Sequence, residues 1–318
     1  MNYLEVLKRR AKGIRREHKM IAAGEDPQAI IPTGLREFDK RAGHKRKILH
    51  VYGSATGEGK SIWKLHLAKH AAKAGYRVGI LDFEDPEERT ADRDFSAETG
   101  INNAKMMSGD LSDKEVHQIY SALEKMGWAR NIELETGLKE AEEALEWLHD
   151  QEPLDLVLVD YLSALPHGKH GRERTISDFC WQLTQYAQCR TEGDTQGCAV
   201  VAMAQLVPDV SERGMQMYMQ WKKNQQYKNE SGDSLPYIEG FRGFDYMDLA
   251  WCRDAGRNAK ELGFMFRPGR YYQRLKCKVP DDRMEFTFPK KNFGSEGTIA
   301  VGFDGKTATL RDLPEKGK

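Results

Sequence analysis

No stretch of this sequence reaches the roughly 18 consecutive apolar residues that a membrane-spanning helix requires, and the charged N-terminus lacks the apolar core of a secretory signal. The chain is therefore expected to be cytoplasmic. Cysteine is scarce. The five present, Cys180, Cys189, Cys198, Cys252 and Cys277, form no C-x-x-C pair and keep no zinc-type spacing with a histidine. That argues against a zinc module or a disulfide framework and leaves reduced structural thiols. Excess charge of one sign is also missing, since 49 Lys and Arg balance 49 Asp and Glu. Bulk basicity therefore gives no argument for nucleic-acid binding, and the distribution of charge matters more than its sum. No internal repeat or low-complexity tract is found. What is present, 318 residues with 39% hydrophobic and 31% charged, suffices for one large core, or one core and a small appendage.

The first twenty residues carry Lys8, Arg9, Arg10, Lys12, Arg15, Arg16 and Lys19 against Glu5 and Glu17, whereas the stretch from Glu140 to Glu146 is acidic. Either segment also suits a solvated helix face. Leu4, Leu7, Ile14 and Ile21 on the basic background predict a helix over residues 1 to about 23, closed by Gly24 and Pro27. The chain then divides into a basic helical arm and linker, 1–27, and a main domain, 28–318. From Ile48 the pattern is strand, glycine loop, helix, strand. Ile48–Tyr52 and Val78–Phe83 are strands flanking a helix from Ile62 to Ala74 that Gly75 ends. Helices follow over Ser112–Met126 and Leu138–Asp150 with a short strand at Ile132–Leu134 between them. The runs Leu156–Val159 and Ala199–Ala204, separated by a helix over Thr175–Cys189, are continuously apolar, as central parallel strands buried on both faces are. Val207–Tyr237 is polar and reads as a long excursion. Strand-like runs return at Leu249–Cys252, Met284–Phe288 and Thr298–Phe303, with a hairpin turn at Asp304–Gly305. The fold expected is α/β, a mostly parallel central sheet flanked by helices.

The strongest local motif is Gly53-Ser54-Ala55-Thr56-Gly57-Glu58-Gly59-Lys60-Ser61, between a strand and a helix. Its backbone N–H groups can wrap phosphates and the helix aims its positive end at them. Lys60 can reach the outer phosphate oxygens, and the Ser61 hydroxyl can ligate Mg²⁺. The strict phosphate-loop pattern wants glycine where Ser54 stands; Gly57 and Gly59 keep the loop permissive. An ATPase also needs a carboxylate for the metal and one for the attacking water. Asp160 ends the Leu156–Val159 strand, where it can hold Mg²⁺. Glu84 follows the second strand and can orient water, with Asp82 and Asp85 as competitors. Gln205 ends the next strand, either as a contact to the terminal phosphate or as an ordinary satisfied polar residue.

The order of these pieces resembles the helicase domain of the DnaB-type replicative helicases and related phage primase-helicases. The matching residues are Ile31-Pro32-Thr33-Gly34-Leu35-Arg36-Glu37-Phe38-Asp39 as an opening motif, the phosphate loop without its first glycine, Glu84, Leu158-Val159-Asp160-Tyr161-Leu162, and Ala204-Gln205-Leu206. The resemblance covers roughly residues 30 to 312. Beyond Gln205, Phe241-Arg242-Gly243 looks like the family's DNA-contacting loop, and Asp248–Arg253 like the strand after it. The segment Pro289-Lys290-Lys291-Asn292-Phe293-Gly294 looks like the one that reaches a neighbour's ATP. Lys290 is then the phosphate contact, and Asn292 stands where an arginine finger is expected. Lys290 or Lys291, or one of Arg267, Arg270 and Arg274, can supply that charge instead, or hydrolysis is slow without it.

The resemblance implies a RecA-like P-loop NTPase that uses ATP and Mg²⁺, assembles as a homo-hexameric ring around single-stranded DNA and unwinds duplex. The ATP-binding residues are then Ser54, Ala55, Thr56, Gly57, Glu58, Gly59, Lys60, Ser61 and Lys290. Catalytic roles fall to Glu84, Lys60 and Gln205, and metal binding to Ser61 and Asp160. Nucleic-acid contacts are expected from Lys222, Lys223 and Lys228, with the aromatics Trp221 and Tyr227 beside them, and from Arg242. A solvated insertion has the same composition. The family's N-terminal collar or primase domain has no counterpart here, so a separate primase or loader is an expected partner, and a phage or plasmid replisome a natural setting. A RecA-like accessory DNA-binding ATPase without unwinding activity is the second reading.

Overall fold

The computed structural model describes residues 2–23, 30–165, 171–190, 196–207, 246–274, 281–291 and 297–314. Along the chain these form α1 (Tyr3–Ala22), β1 (Ile30–Ile31), α2 (Arg36–Ala42), β2 (His44–Lys45), β3 (Ile48–Ser54) and α3 (Lys60–Lys73). Next come β4 (Val78–Asp82), α4 (Glu87–Thr99), α5 (Asn103–Ser108), α6 (Asp113–Leu123), β5 (Ile132–Thr136), α7 (Ala141–Asp150) and β6 (Leu156–Asp160). The remainder is α8 (Arg172–Gln188), β7 (Ala199–Gln205), α9 (Arg253–Asn258), β8 (Glu261–Phe266), α10 (Pro268–Arg274), β9 (Arg283–Lys291), β10 (Gly297–Asp304) and β11 (Thr309–Arg311). None of the described helices is long and apolar enough to cross a membrane.

Among the described residues, nine strands form one sheet in the order β11-β10-β9-β8-β3-β7-β6-β4-β5. From β8 to β5 every neighbour is parallel, and β8 to β11 run as an antiparallel meander. The apolar runs are continuous because both faces are covered, and the two-residue period sorts their side chains. Val51, Val157, Val159, Val200 and Ala202 pack with Ala144 and Leu148 of α7 and Phe179 and Leu183 of α8. Tyr52, Ile80, Leu156, Leu158, Val201 and Met203 pack with Phe38 of α2 and Trp63, Leu67 and Ala71 of α3 on the other face. The opening motif is held by Asp39, which accepts hydrogen bonds from the Thr33 hydroxyl and amide at 2.6 and 2.7 Å.

One expectation is corrected, and one strand was not foreseen. Leu249–Cys252 is not a strand: Leu249 makes one isolated bridge to Leu206, and Trp251 adopts a left-handed φ of 59°. The strand beside β3 is instead β8, which starts with a charged residue. Glu261 is buried there because His50, its register partner on β3, meets the carboxylate at 3.1 Å.

Candidate functional site

Parallel pairing brings four strand ends to one edge. The register sets Ser54 of β3 beside Gln205 of β7 and Asp82 of β4 beside Asp160 of β6. The loops after these strands therefore open onto a common space, the usual ligand position in an open parallel sheet.

The loop Ala55–Gly59 leaves β3 and enters α3 at Lys60. Gly57 and Gly59 take φ of 74° and 105°, which L side chains rarely adopt. Gly59 caps the helix without a side-chain bond, so the first-turn N–H groups face the loop and suit an anion. Lys60 is buried, its ammonium 2.9 Å from Gln205 Oε1 and 3.3 Å from the Ala55 carbonyl. Burial pulls its pKa down, against the attraction of Asp160, Glu84 and Glu58. Gln205 turns its amide nitrogen to Thr56 Oγ1 at 2.5 Å, so the strand-end glutamine reads both the loop and its lysine. Ser54 belongs to the strand and is fully buried, its hydroxyl directed at the Ala55 carbonyl at 3.3 Å.

Glu58 fastens the loop to the C-terminal part of the sheet. It is buried, accepts the Arg267 amide at 2.7 Å and lies 3.7 Å from the Arg270 guanidinium. Arg270 also donates to the Gly57 carbonyl. Of the three arginines offered as alternatives to a finger, Arg270 therefore lies on its own chain's loop. Arg267 is held by Asp281 at 3.1 Å and by the Phe303 ring.

The competition among three carboxylates after β4 is resolved by their partners. Asp85 pairs with Arg89 and Arg93. Asp82 is buried, pairs with Lys64, and accepts the backbone amides of Glu84 and Asp85 at 3.1 and 2.9 Å. Glu84 is exposed at the edge. Partial burial, then the Asp160 carboxylate, raises its pKa above the ordinary glutamate range. Asp160 is buried at the end of β6, its Oδ2 3.0 Å from the Lys64 ammonium, and its Oδ1 has no hydrogen-bond partner among the described residues. An unpartnered oxygen on a buried carboxylate, with Ser61 in the first turn of α3, fits a hard divalent cation. Among the described residues no group of three or more His, Cys, Asp or Glu could hold a metal by itself. One carboxylate and one hydroxyl are what Mg²⁺ shared with phosphates takes from a protein.

The family profile of the DnaB-like helicase C-terminal domain matches residues 30–312. The chain belongs to the DnaB-like helicase family. Among solved structures, it resembles a DnaB-like replicative helicase described with its interactions with primase (TM-score 0.70, 18% identity, 95% of this chain and 66% of the other). It also resembles a second structure, solved as an isolated ATPase domain (TM-score 0.69, 18% identity, 96% of this chain and 98% of the other). The chain thus spans just under two thirds of the first of these. No curated protein matches it in sequence. The fold is the RecA-like one that DnaB-type ATPase domains share.

The structure brings together Lys60, Ser61, Glu84, Asp160 and Gln205. Lys290 lies elsewhere in the DnaB-like fold, on β9 opposite Leu262, toward the other end of β8. Lys222, Lys223, Lys228, Arg242 and Asn292 fall outside the described residues, as do the Val207–Tyr237 excursion beyond Val207 and the Phe241–Gly243 motif. Sequence reasoning missed Lys64. Its signal was a lysine one turn after Lys60 on the helix's apolar face, where a charge needs a buried partner.

Proposed function

We propose that this chain is an ATP-dependent DNA helicase, a homo-hexameric ring that moves on single-stranded DNA and unwinds duplex during replication. The reading rests on the ending of β3, β4, β6 and β7 at one edge of the sheet, which puts Glu84, Asp160 and Gln205 on the same side as the phosphate loop and Lys60. Residues 54 to 61 cradle ATP. The loop amides and Lys60 neutralise the charge that builds on the transferring phosphoryl group. Glu84, free of the ion pairs that occupy Asp82 and Asp85, accepts a proton from the attacking water and aligns it in line with the leaving oxygen. Gln205, bonded here to both Lys60 and Thr56, exchanges these bonds for the terminal phosphate and carries its loss to the segment after β7. Ser61 and Asp160 would hold Mg²⁺, which would spread the phosphate charge.

Lys290, at a register position away from its own chain's loop edge, serves a neighbouring subunit's ATP. Lys222, Lys223, Lys228 and Arg242 grip the DNA backbone, and a separate primase or loader completes the system. Asn292, in place of the arginine finger, favours a second reading: an accessory DNA-binding ATPase that does not unwind.

The test is ATP hydrolysis with and without single-stranded DNA, with Lys60→Ala as control, alongside light-scattering mass and a duplex-unwinding assay. DNA stimulation, a mass near six subunits and unwinding support the motor. Stimulation without unwinding selects the accessory ATPase, and a monomer whose hydrolysis ignores DNA sinks both.

A further inference from the structure

Lys64 is wholly buried, yet the hydrolysis steps above do not use it. Asp82 and Asp160 are register partners on adjacent strands. They continue the Ile80 and Leu158 rows that face α3, so one helix residue meets both. Lys64, one turn past Lys60, is that residue. It pairs with Asp82 and, at 3.0 Å, with Asp160, and none of the three side chains is more than 1% exposed.

The two carboxylates are not equivalent. Asp82 gives Oδ2 to Lys64 and Oδ1 to the amides of Glu84 and Asp85, which fixes the loop that carries Glu84. Asp160 gives only Oδ2 to Lys64, and its Oδ1 has no hydrogen-bond partner among the described residues. One ammonium against two buried carboxylates leaves the cluster one positive charge short, a deficit that a further cation relieves.

Resting on the ATPase reading above, we propose that Lys64 is a positioning residue that ties the metal-binding Asp160, through Asp82, to the loop of Glu84, and sets how strongly Asp160 takes Mg²⁺. The ammonium competes with the metal for Asp160, and Asp82 draws it away. Removing Asp82's charge therefore weakens Mg²⁺ binding, whereas removing Lys64 and that charge together strengthens it.

Lys64→Met alone leaves two adjacent buried carboxylates unbalanced and is expected to damage folding. The test uses Asp82→Asn, and Lys64→Met combined with Asp82→Asn, which keeps the net charge of the cluster. Mg²⁺ is titrated against binding of a fluorescent non-hydrolysable ATP analogue by the full chain, with thermal melts to verify folding. The Mg²⁺ concentration for half-maximal binding is expected to rise on the order of tenfold in Asp82→Asn and to fall by a similar factor in the double variant. Turnover in the double variant falls about tenfold or more through the loosened Glu84 loop, with KM for ATP within about twofold of wild type. Shifts of the same sign, or none, overturn the proposal while the ATPase reading stands. A wild-type chain that binds no nucleotide overturns both.

Discussion

Burial works against the charge on Lys60, and the carboxylates of Asp160, Glu84 and Glu58 oppose that loss. Lys60→Ala should therefore cost at least about 10²-fold in ATP turnover, through the lost phosphate contact, while melting close to wild type. Glu84→Gln separates binding from chemistry. Nucleotide affinity should hold and turnover should fall about 10²-fold or more. Because the Glu84 pKa is raised, the acid limb of the wild-type rate profile should lie above the usual glutamate range: the base is lost as pH falls through the shifted value. His66 makes a prediction about stability instead. Burial, then the positive charge of His70 and Lys69, pushes its pKa down to about 3. The unfolded chain then binds that proton more readily at every pH between about 3 and 6.5, so this residue's contribution is complete above about 6.5 and is lost on acidification. His66→Asn should gain stability relative to wild type as pH drops from about 7.5 to about 5, read as the difference in Tm; parallel Tm curves would refute it.

Among the elements, β3 shows how closely the sheet is packed around the phosphate loop. Gly263 of β8 sits at the register irregularity between Leu262 and Phe264, and a Cβ there would lie 2.7 Å from the Tyr52 ring. Gly263→Ala should destabilise by about 1–3 kcal/mol in urea titration, since neither the Tyr52 ring nor the strand backbone can give way cheaply. The same strand shows where sequence reasoning stops. β3, β4, β6 and β7 were legible because each is a local apolar run bounded by turn residues. β8 was not, because its first residue is charged and its burial depends on His50, 211 positions earlier. Leu249–Cys252 has strand-like composition, but the turn at Trp251 takes it out of the sheet.

At the scale of the whole molecule the balanced charge has a consequence. If the chain is the ring motor proposed, attachment to DNA without a net positive field has to come from a few local basic groups. Binding to single-stranded DNA should therefore require ATP and assembly, and fall on the order of 10³-fold between about 50 and 200 mM salt. Filter binding across that range checks this; affinity indifferent to salt and nucleotide would argue against the channel. The placement of the glycine-rich loop, Glu84, Asp160 and Gln205 at or just after strand ends was readable from the sequence alone. Each is a local requirement: a left-handed backbone at Gly57 and Gly59, or a polar group where a buried strand stops. Which carboxylate is free, which arginine touches the loop and what neutralises Lys64 were decided only when strand register set Asp82 beside Asp160 and α3 crossed both. Those pairings join residues far apart in the chain, and a buried charge acquires its partner only through the packing that buries it.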